Sequence, residues 1–103
     1  MNCSRNDVVL LPIPFTNLTS RKVRPAVIIG KSSNDLFLVP ISSVLANTDF
    51  PLVEWQAAGL NVPSGVKAQL ATVEEKLVVK IVGQLTGNDI KVLNVRLREW
   101  LNL

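Results

Sequence analysis

Asp7–Ile13 reads DVVLLPI, Pro25–Gly30 reads PAVIIG and Leu36–Ile41 reads LFLVPI. These runs are short, apolar and rich in β-branched residues, and proline, glycine or polar turns bound them, which is the pattern of strands. PAVIIG has no polar side, so it predicts a strand apolar on both faces. The links PFTNLTSRKV (14–23) and KSSND (31–35) are polar and turn-rich, so the three strands should neighbour one another as a meander. Pro40 has no backbone donor, which predicts an edge or a bulge at that point of the third strand.

Downstream the elements stay short. Ser42–Thr48 predicts a loop or a short helical turn. Phe50–Trp55 and Gly65–Thr72 predict two more strands, joined by the polar QAAGLNVPS (56–64), and Glu74–Lys76 a turn. Val78–Leu85 reads VVKIVGQL, a last strand with Gly83 marking a bulge. Then the apolar period changes. Thr86-Gly87-Asn88-Asp89 has the form of a capping box. Ile90, Leu93, Leu97, Trp100 and Leu101 follow at three- and four-residue spacing, an amphipathic helix of about four turns. Strands of this length, closed by one helix, predict a mainly β (α+β) domain: a small, bent, half-open antiparallel barrel with a C-terminal α-helix.

Composition narrows the chemistry. The chain has 103 residues, 48% hydrophobic and 18% charged, which predicts a single globular domain over 1–103. It contains no histidine, no tyrosine and one cysteine, Cys3. A histidine-based zinc site, a Ser-His-Asp triad, a paired-histidine nuclease and an intramolecular disulfide are therefore excluded. The lone cysteine fits a reducing compartment and reads as a bystander. No apolar run approaches the roughly 20 residues that span a bilayer. The polar MNCSRND start and the proline-broken run after it do not form a signal peptide. A cytoplasmic protein with no membrane association is expected. Net charge is +3. Arg5, Arg21, Lys22, Arg24 and Lys31 oppose only Asp7 in the first third, so the positive charge gathers around one polar segment between two apolar runs.

Read as chemistry, that segment offers Arg24 first. A guanidinium holds a phosphate bidentately and stays charged at any working pH. Pro25 restricts Arg24 to extended conformations. Ser42 and Ser43 follow Pro40, where serine also serves plain turn chemistry. Arg24 taken alone reads first as an ordinary strand-edge arginine making a surface salt bridge, and Arg21 and Lys22 read equally as a solvated basic loop. Thr16, Asn17, Thr19 and Ser20 are loop formers that can also hydrogen-bond splayed bases. Phe15, beside them, can stack on a base. Lys67 faces either a groove or solvent.

The ordered series Asp7 to Ser43 (DVVLLPIPFTNL, RKVRPAVII, LVPISS), then GLNVPSGVK (59–67), ATVE (71–74) and KIVGQL (80–85), resembles the MazF/PemK family of toxin endoribonucleases from bacterial toxin–antitoxin pairs. The resemblance covers Asn6 to Leu101. Asn6 stands where the family usually has glycine, and Ser42 where it most often has threonine. The resemblance implies an SH3-like or CcdB-like barrel acting as a homodimer. It implies metal-independent, cofactor-free cleavage of single-stranded RNA at a short sequence, leaving a 2′,3′-cyclic phosphate and a 5′-hydroxyl. It implies an antitoxin partner whose acidic tail occupies the RNA groove. On this reading Arg24 and Ser42 are catalytic. Phe15, Thr16, Asn17, Thr19, Ser20, Arg21, Lys22, Ser43 and Lys67 bind RNA. The alternatives are a CcdB-like gyrase poison on the same fold and an inactive member retained as a regulator with its antitoxin. The basic loop with Arg24-Pro25 discriminates, because an RNA groove needs it and a gyrase contact does not. The apolar Trp100, Leu101 and Leu103 are consistent with an interface.

Overall fold

The computed structural model describes residues 1–12 and 22–103. Among the described residues seven strands form the sheet: β1 (Asp7–Pro12), β2 (Val23–Ser32), β3 (Asp35–Ser42), β4 (Phe50–Pro51), β5 (Gly65–Val66), β6 (Ala71–Glu74) and β7 (Lys80–Gln84). Helix α1 spans Gly87–Leu101. The strand order is β4-β5-β3-β2-β1-β7, with β6 on β3 beside that path. Every pairing is antiparallel. The expected β1-β2-β3 meander is present. The path stays open, with β4 and β7 at its ends, as in a half-open barrel.

The central strands are apolar on both sides because both sides are covered. Val8, Val27, Val39 and Ile41 point to one core, completed by Phe50, Leu52, Val66 and by Leu93 and Leu97 of α1. Val9, Leu11, Ala26, Ile28, Leu36 and Leu38 point to the other, with Cys3, Val73 and Val78. Burying a leucine such as Leu93, 1% exposed, contributes about 1.5–3 kcal/mol. Leu101, expected on the apolar stripe, is 46% exposed: the stripe ends at Trp100, which packs partly buried on the first core.

The β2–β3 hairpin is tighter than the five-residue link suggested. Ser32 pairs with Asp35, leaving Ser33 and Asn34 as the turn. Ser33 takes φ 56°, the positive value a two-residue hairpin needs. Asn6 takes φ 73° at the entrance to β1. Asparagine tolerates this region better than most residues, which accounts physically for its standing at a glycine position.

The two middle strands are much shorter than expected. Phe50–Trp55 reduces to Phe50–Pro51, and Gly65–Thr72 divides into β5 and β6. Pro51 cannot donate, and the Val53 and Glu54 amides are drawn to Asp89. The division of β5 from β6 traces to Pro40. The register Ile41↔Val66 continues to Lys67, whose N–H donates to the Pro40 carbonyl at 2.9 Å. The reciprocal bond has no donor. Beyond it the register with β3 slips, and pairing resumes at Leu38↔Ala71. Pro40 thus sits in an interior strand at a change of partners, not on an edge. The bulge expected at Gly83 is present: Val8 pairs with Gly83 and Val9 with Ile81, leaving Val82 as the extra residue.

Thr86 is the N-cap residue, but the capping box does not form. Its hydroxyl donates to the Glu54 carboxylate, and the fully buried Asp89 accepts from the Val53 and Glu54 amides, both at 2.9 Å. Tertiary partners outcompete the local cap because they satisfy two amides that no strand pairs.

Candidate functional site

Arg24 lies near the start of β2, opposite Leu11 of β1. Ser42 ends β3, opposite Gly65 of β5. The β2–β3 register pairs Ala26 with Pro40. Carried two residues further, it sets Arg24 across from Ser42. There the ladder has ended, so the two strand ends part and leave a hollow. A cavity of about 240 Å³ occupies it, lined by Arg24, Ser42 and Ser43 together with Leu10, Pro25, Ile41, Gly59, Leu60, Asn61, Val62, Ser64 and Val82.

One corner of this cavity is cationic and hydroxylated. Arg24 is exposed and, among the described residues, has no carboxylate partner. No carboxylate appears among the described lining residues either. The Ser42 hydroxyl oxygen accepts from the Val44 N–H at 3.0 Å, an ST-type turn that orients it and leaves its own proton to donate. A guanidinium fork and a hydroxyl proton facing one hollow suit an oxyanion.

Of the residues expected to act, Arg24, Ser42 and Ser43 come together here. Lys22 is exposed just before β2 and does not line the described cavity. Lys67 lies in a different cleft of about 430 Å³, with Asn47, Thr48, Asp49 and Gln69. Phe15, Thr16, Asn17, Thr19, Ser20 and Arg21 fall outside the described residues.

The wall opposite the cationic corner belongs to residues the sequence reading passed over, the 53–62 segment. Its ends are clasped by β4 and β5 and by Leu52 N–H to the Ser64 carbonyl at 2.9 Å. It begins as a helical turn, with Ala58 N–H donating to the Glu54 carbonyl at 3.1 Å. The turn closes as a Schellman motif, with Gly59 to Gln56 and Leu60 to Trp55 bonds, both 3.1 Å, and Gly59 at φ 96°. Gly59 lies directly on the β7 bulge. A Cβ on Gly59 would come within 2.3 Å of the Val82 carbonyl oxygen, and one on Gly83 within 2.3 Å of the Ala58 carbonyl oxygen. The local signal for this wall is the AAGL run (57–60), a helix-stop pattern inside the polar joiner.

Outside the cavity, Asp7 is buried and accepts from the Ser4 N–H and the Gln84 side-chain amide, so it pins the start of β1. Glu75 accepts from the Cys3 N–H at 2.8 Å and from Lys31 at 3.0 Å. These contacts, the Cys3 amide foremost, hold its carboxyl below the ordinary glutamate value. Burial, reinforced by Glu75, pushes the Cys3 thiol up. Among the described residues no three acidic or cysteine side chains converge, and no helix is long and apolar enough to cross a membrane.

Set beside known proteins, the chain matches over residues 4–101 the family model described as PemK-like, MazF-like toxin of type II toxin–antitoxin system. Solved structures share its fold, and two of them serve as examples. The Mycobacterium tuberculosis toxin MazF-mt6 superposes with TM-score 0.74 at 16% identity, covering 94% of this chain and 97% of that one. An endoribonuclease in complex with its cognate antitoxin, from Mycobacterial species, superposes with TM-score 0.73 at 16% identity, covering 100% and 97%. No curated protein matches by sequence.

Proposed function

The chain belongs to the PemK-like, MazF-like toxin family of type II toxin–antitoxin systems, and from that premise we propose that it cuts single-stranded RNA at the Arg24–Ser42 corner. The observation that carries this reading is the meeting of Arg24, Ser42 and Ser43, from two strand ends, on one cavity whose described lining residues include no carboxylate. In the reaction a ribose 2′-OH attacks the adjacent phosphorus. The 2′-oxygen loses its proton, the P–O5′ bond breaks, and the 5′-oxygen takes up a proton. The products are a 2′,3′-cyclic phosphate and a 5′-hydroxyl.

Arg24 holds the non-bridging oxygens and stabilises the charge that builds on them. As a guanidinium it can also supply the proton to the leaving oxygen. It is a poor general base, because a pKa above about 12 leaves almost no neutral form. Ser42 donates its free proton to the same phosphate; one such donor is worth about 10²–10³ in rate. No imidazole exists in the chain.

The toxin role implies a cognate antitoxin with an acidic tail, which the net charge of +3 favours. It also implies a homodimer, since one barrel of this size offers only a shallow groove. Purified protein should cut single-stranded RNA in EDTA and leave a cyclic phosphate. Arg24→Ala should abolish cutting while leaving the fold intact, because Arg24 is exposed and pairs with no carboxylate among the described residues. A requirement for Mg²⁺, or cutting that survives Arg24→Ala, overturns the mechanism. Gyrase inhibition without RNA cleavage would return the barrel to the poisoning reading.

A further inference from the structure

We propose that the 53–62 segment is the base-reading wall of this cavity and that Asn61 is its reading group, setting which nucleotide is accepted beside the cut. The inference rests on the nuclease reading above. The cavity has two unlike halves. Arg24, Ser42 and Ser43 offer charge and hydroxyls, whereas Leu60, Val62 and Pro25 offer apolar surface. A nucleotide has the same two halves. With its phosphate on Arg24, its base must lie across the apolar wall, where a flat π-face exchanges water for Leu60 and Val62. The volume of about 240 Å³ falls below the ~300–1,000 Å³ of cavities that enclose drug-sized ligands, so it suits one base and not several.

Among the described lining residues opposite the cationic corner, Asn61 carries the only side-chain amide. Ser64, the other polar side chain there, is 4% exposed and spends its hydroxyl on the Val62 carbonyl at 2.9 Å. The Asn61 carboxamide makes no hydrogen bond to a described residue and is exposed. It presents one acceptor and two donors, the complement of a base edge. Single-stranded RNA is read in this way, by hydrogen bonds to unstacked bases.

Reading also needs a fixed position, and this wall is held from beneath. Asp89 of α1 grips the Val53 and Glu54 amides. The Schellman pair closes the turn, and Gly59 and Gly83 interlock over the β7 bulge. Asn61 stands two residues beyond that interlock, so its backbone is preorganised and not ordered at binding.

The experiment is end-mapping of cuts in a randomised single-stranded RNA pool by the full chain, its Asn61→Ala and Asn61→Gln variants, and Arg24→Ala. Asn61→Ala should flatten the preference at one position next to the cut by at least about fivefold, the low end of a bidentate base contact. Preferences at other positions should hold, with an unchanged urea midpoint. Asn61→Gln should restore part of the preference at that position. A wild type that cuts while Asn61→Ala keeps every preference overturns this inference alone. So does an Asn61→Ala variant that is folded but loses all cutting, because the group would then serve the reaction and not the choice of base. A wild type that cuts no RNA overturns the nuclease reading and this inference together.

Discussion

Replacing Gly83 by alanine tests the interlock under the cavity wall. The new Cβ would lie 2.3 Å from the Ala58 carbonyl oxygen and 2.8 Å from its carbon. Carbon and carbonyl oxygen normally approach to about 3.3–3.6 Å, so one backbone must retreat by about 1 Å. Neither side is free to do so. Gly83 pairs with Val8 of β1, and Ala58 is fully buried in a turn tied to Asp89. Overpacking of this kind costs about 1–3 kcal/mol, and two backbones in contact place it at the upper end. Restricting the unfolded chain offsets about 0.4–1 kcal/mol, so a net loss of about 2 kcal/mol is expected. With a urea m-value of about 1–2 kcal/mol/M, the midpoint falls by about 1–2 M. By calorimetry, Tm falls by roughly 8–15 °C. Gly87→Ala is the internal control. A Cβ there meets nothing within 4 Å, in the first turn of α1. It should raise stability by up to about 1 kcal/mol. If Gly83→Ala lies within 0.5 kcal/mol of wild type, or moves with Gly87→Ala, the interlock does not hold the wall and the reasoning fails.

Asn6 at φ 73° should prefer glycine. Asn6→Gly is expected to be neutral or stabilising by up to about 1 kcal/mol and Asn6→Ala to lose about 1 kcal/mol in urea melts; the reverse order would show that the asparagine side chain, and not the backbone angle, matters. The depressed carboxyl of Glu75 contributes stability that is fully present above the ordinary value of 4.5 and is lost as pH falls below it. Tm followed from pH 7 to pH 3 should therefore show Glu75→Gln below wild type at neutral pH and converging with it in acid. A constant offset across the range would contradict the linkage. Cys3 is 3% exposed and burial raises its thiol pKa, so at pH 8 a disulfide reagent should react slowly with the native chain and rapidly once urea unfolds it. Equal rates in the two states would place the thiol at the surface.

The parts legible in the sequence were those whose signals are local. Apolar runs bounded by breakers located β1, β2 and β3, and the change to a three-to-four-residue period located α1. Gly83 announced its bulge because glycine within an apolar strand has few other uses. The misread parts depended on distant partners. Val53 and Glu54 look extendable until Asp89, some 35 residues on, takes their amides. The same contact emptied the capping box, since Thr86 and Asp89 had better partners than each other. At the cavity, Arg24 and Ser42 were legible by chemistry and order along the chain, and the hairpin register brought them together. Gly59, Leu60, Asn61 and Val62 were not, because only the Gly59–Gly83 approach makes them a wall.

Pro40 reaches further than its own strand. If residue 40 had an N–H, it would bond back to Lys67, and β5 and β6 would be free to run as one ribbon along β3. Without that proton the chain must leave the sheet between Lys67 and Leu70 and return out of step. The detour opens a polar cleft holding Lys67 and Gln69 and an apolar groove of about 430 Å³ between Phe37 and Leu70. One missing hydrogen thus sets the relief of this whole flank. Any substitution that restored a donor at 40 would smooth the surface before it altered the core.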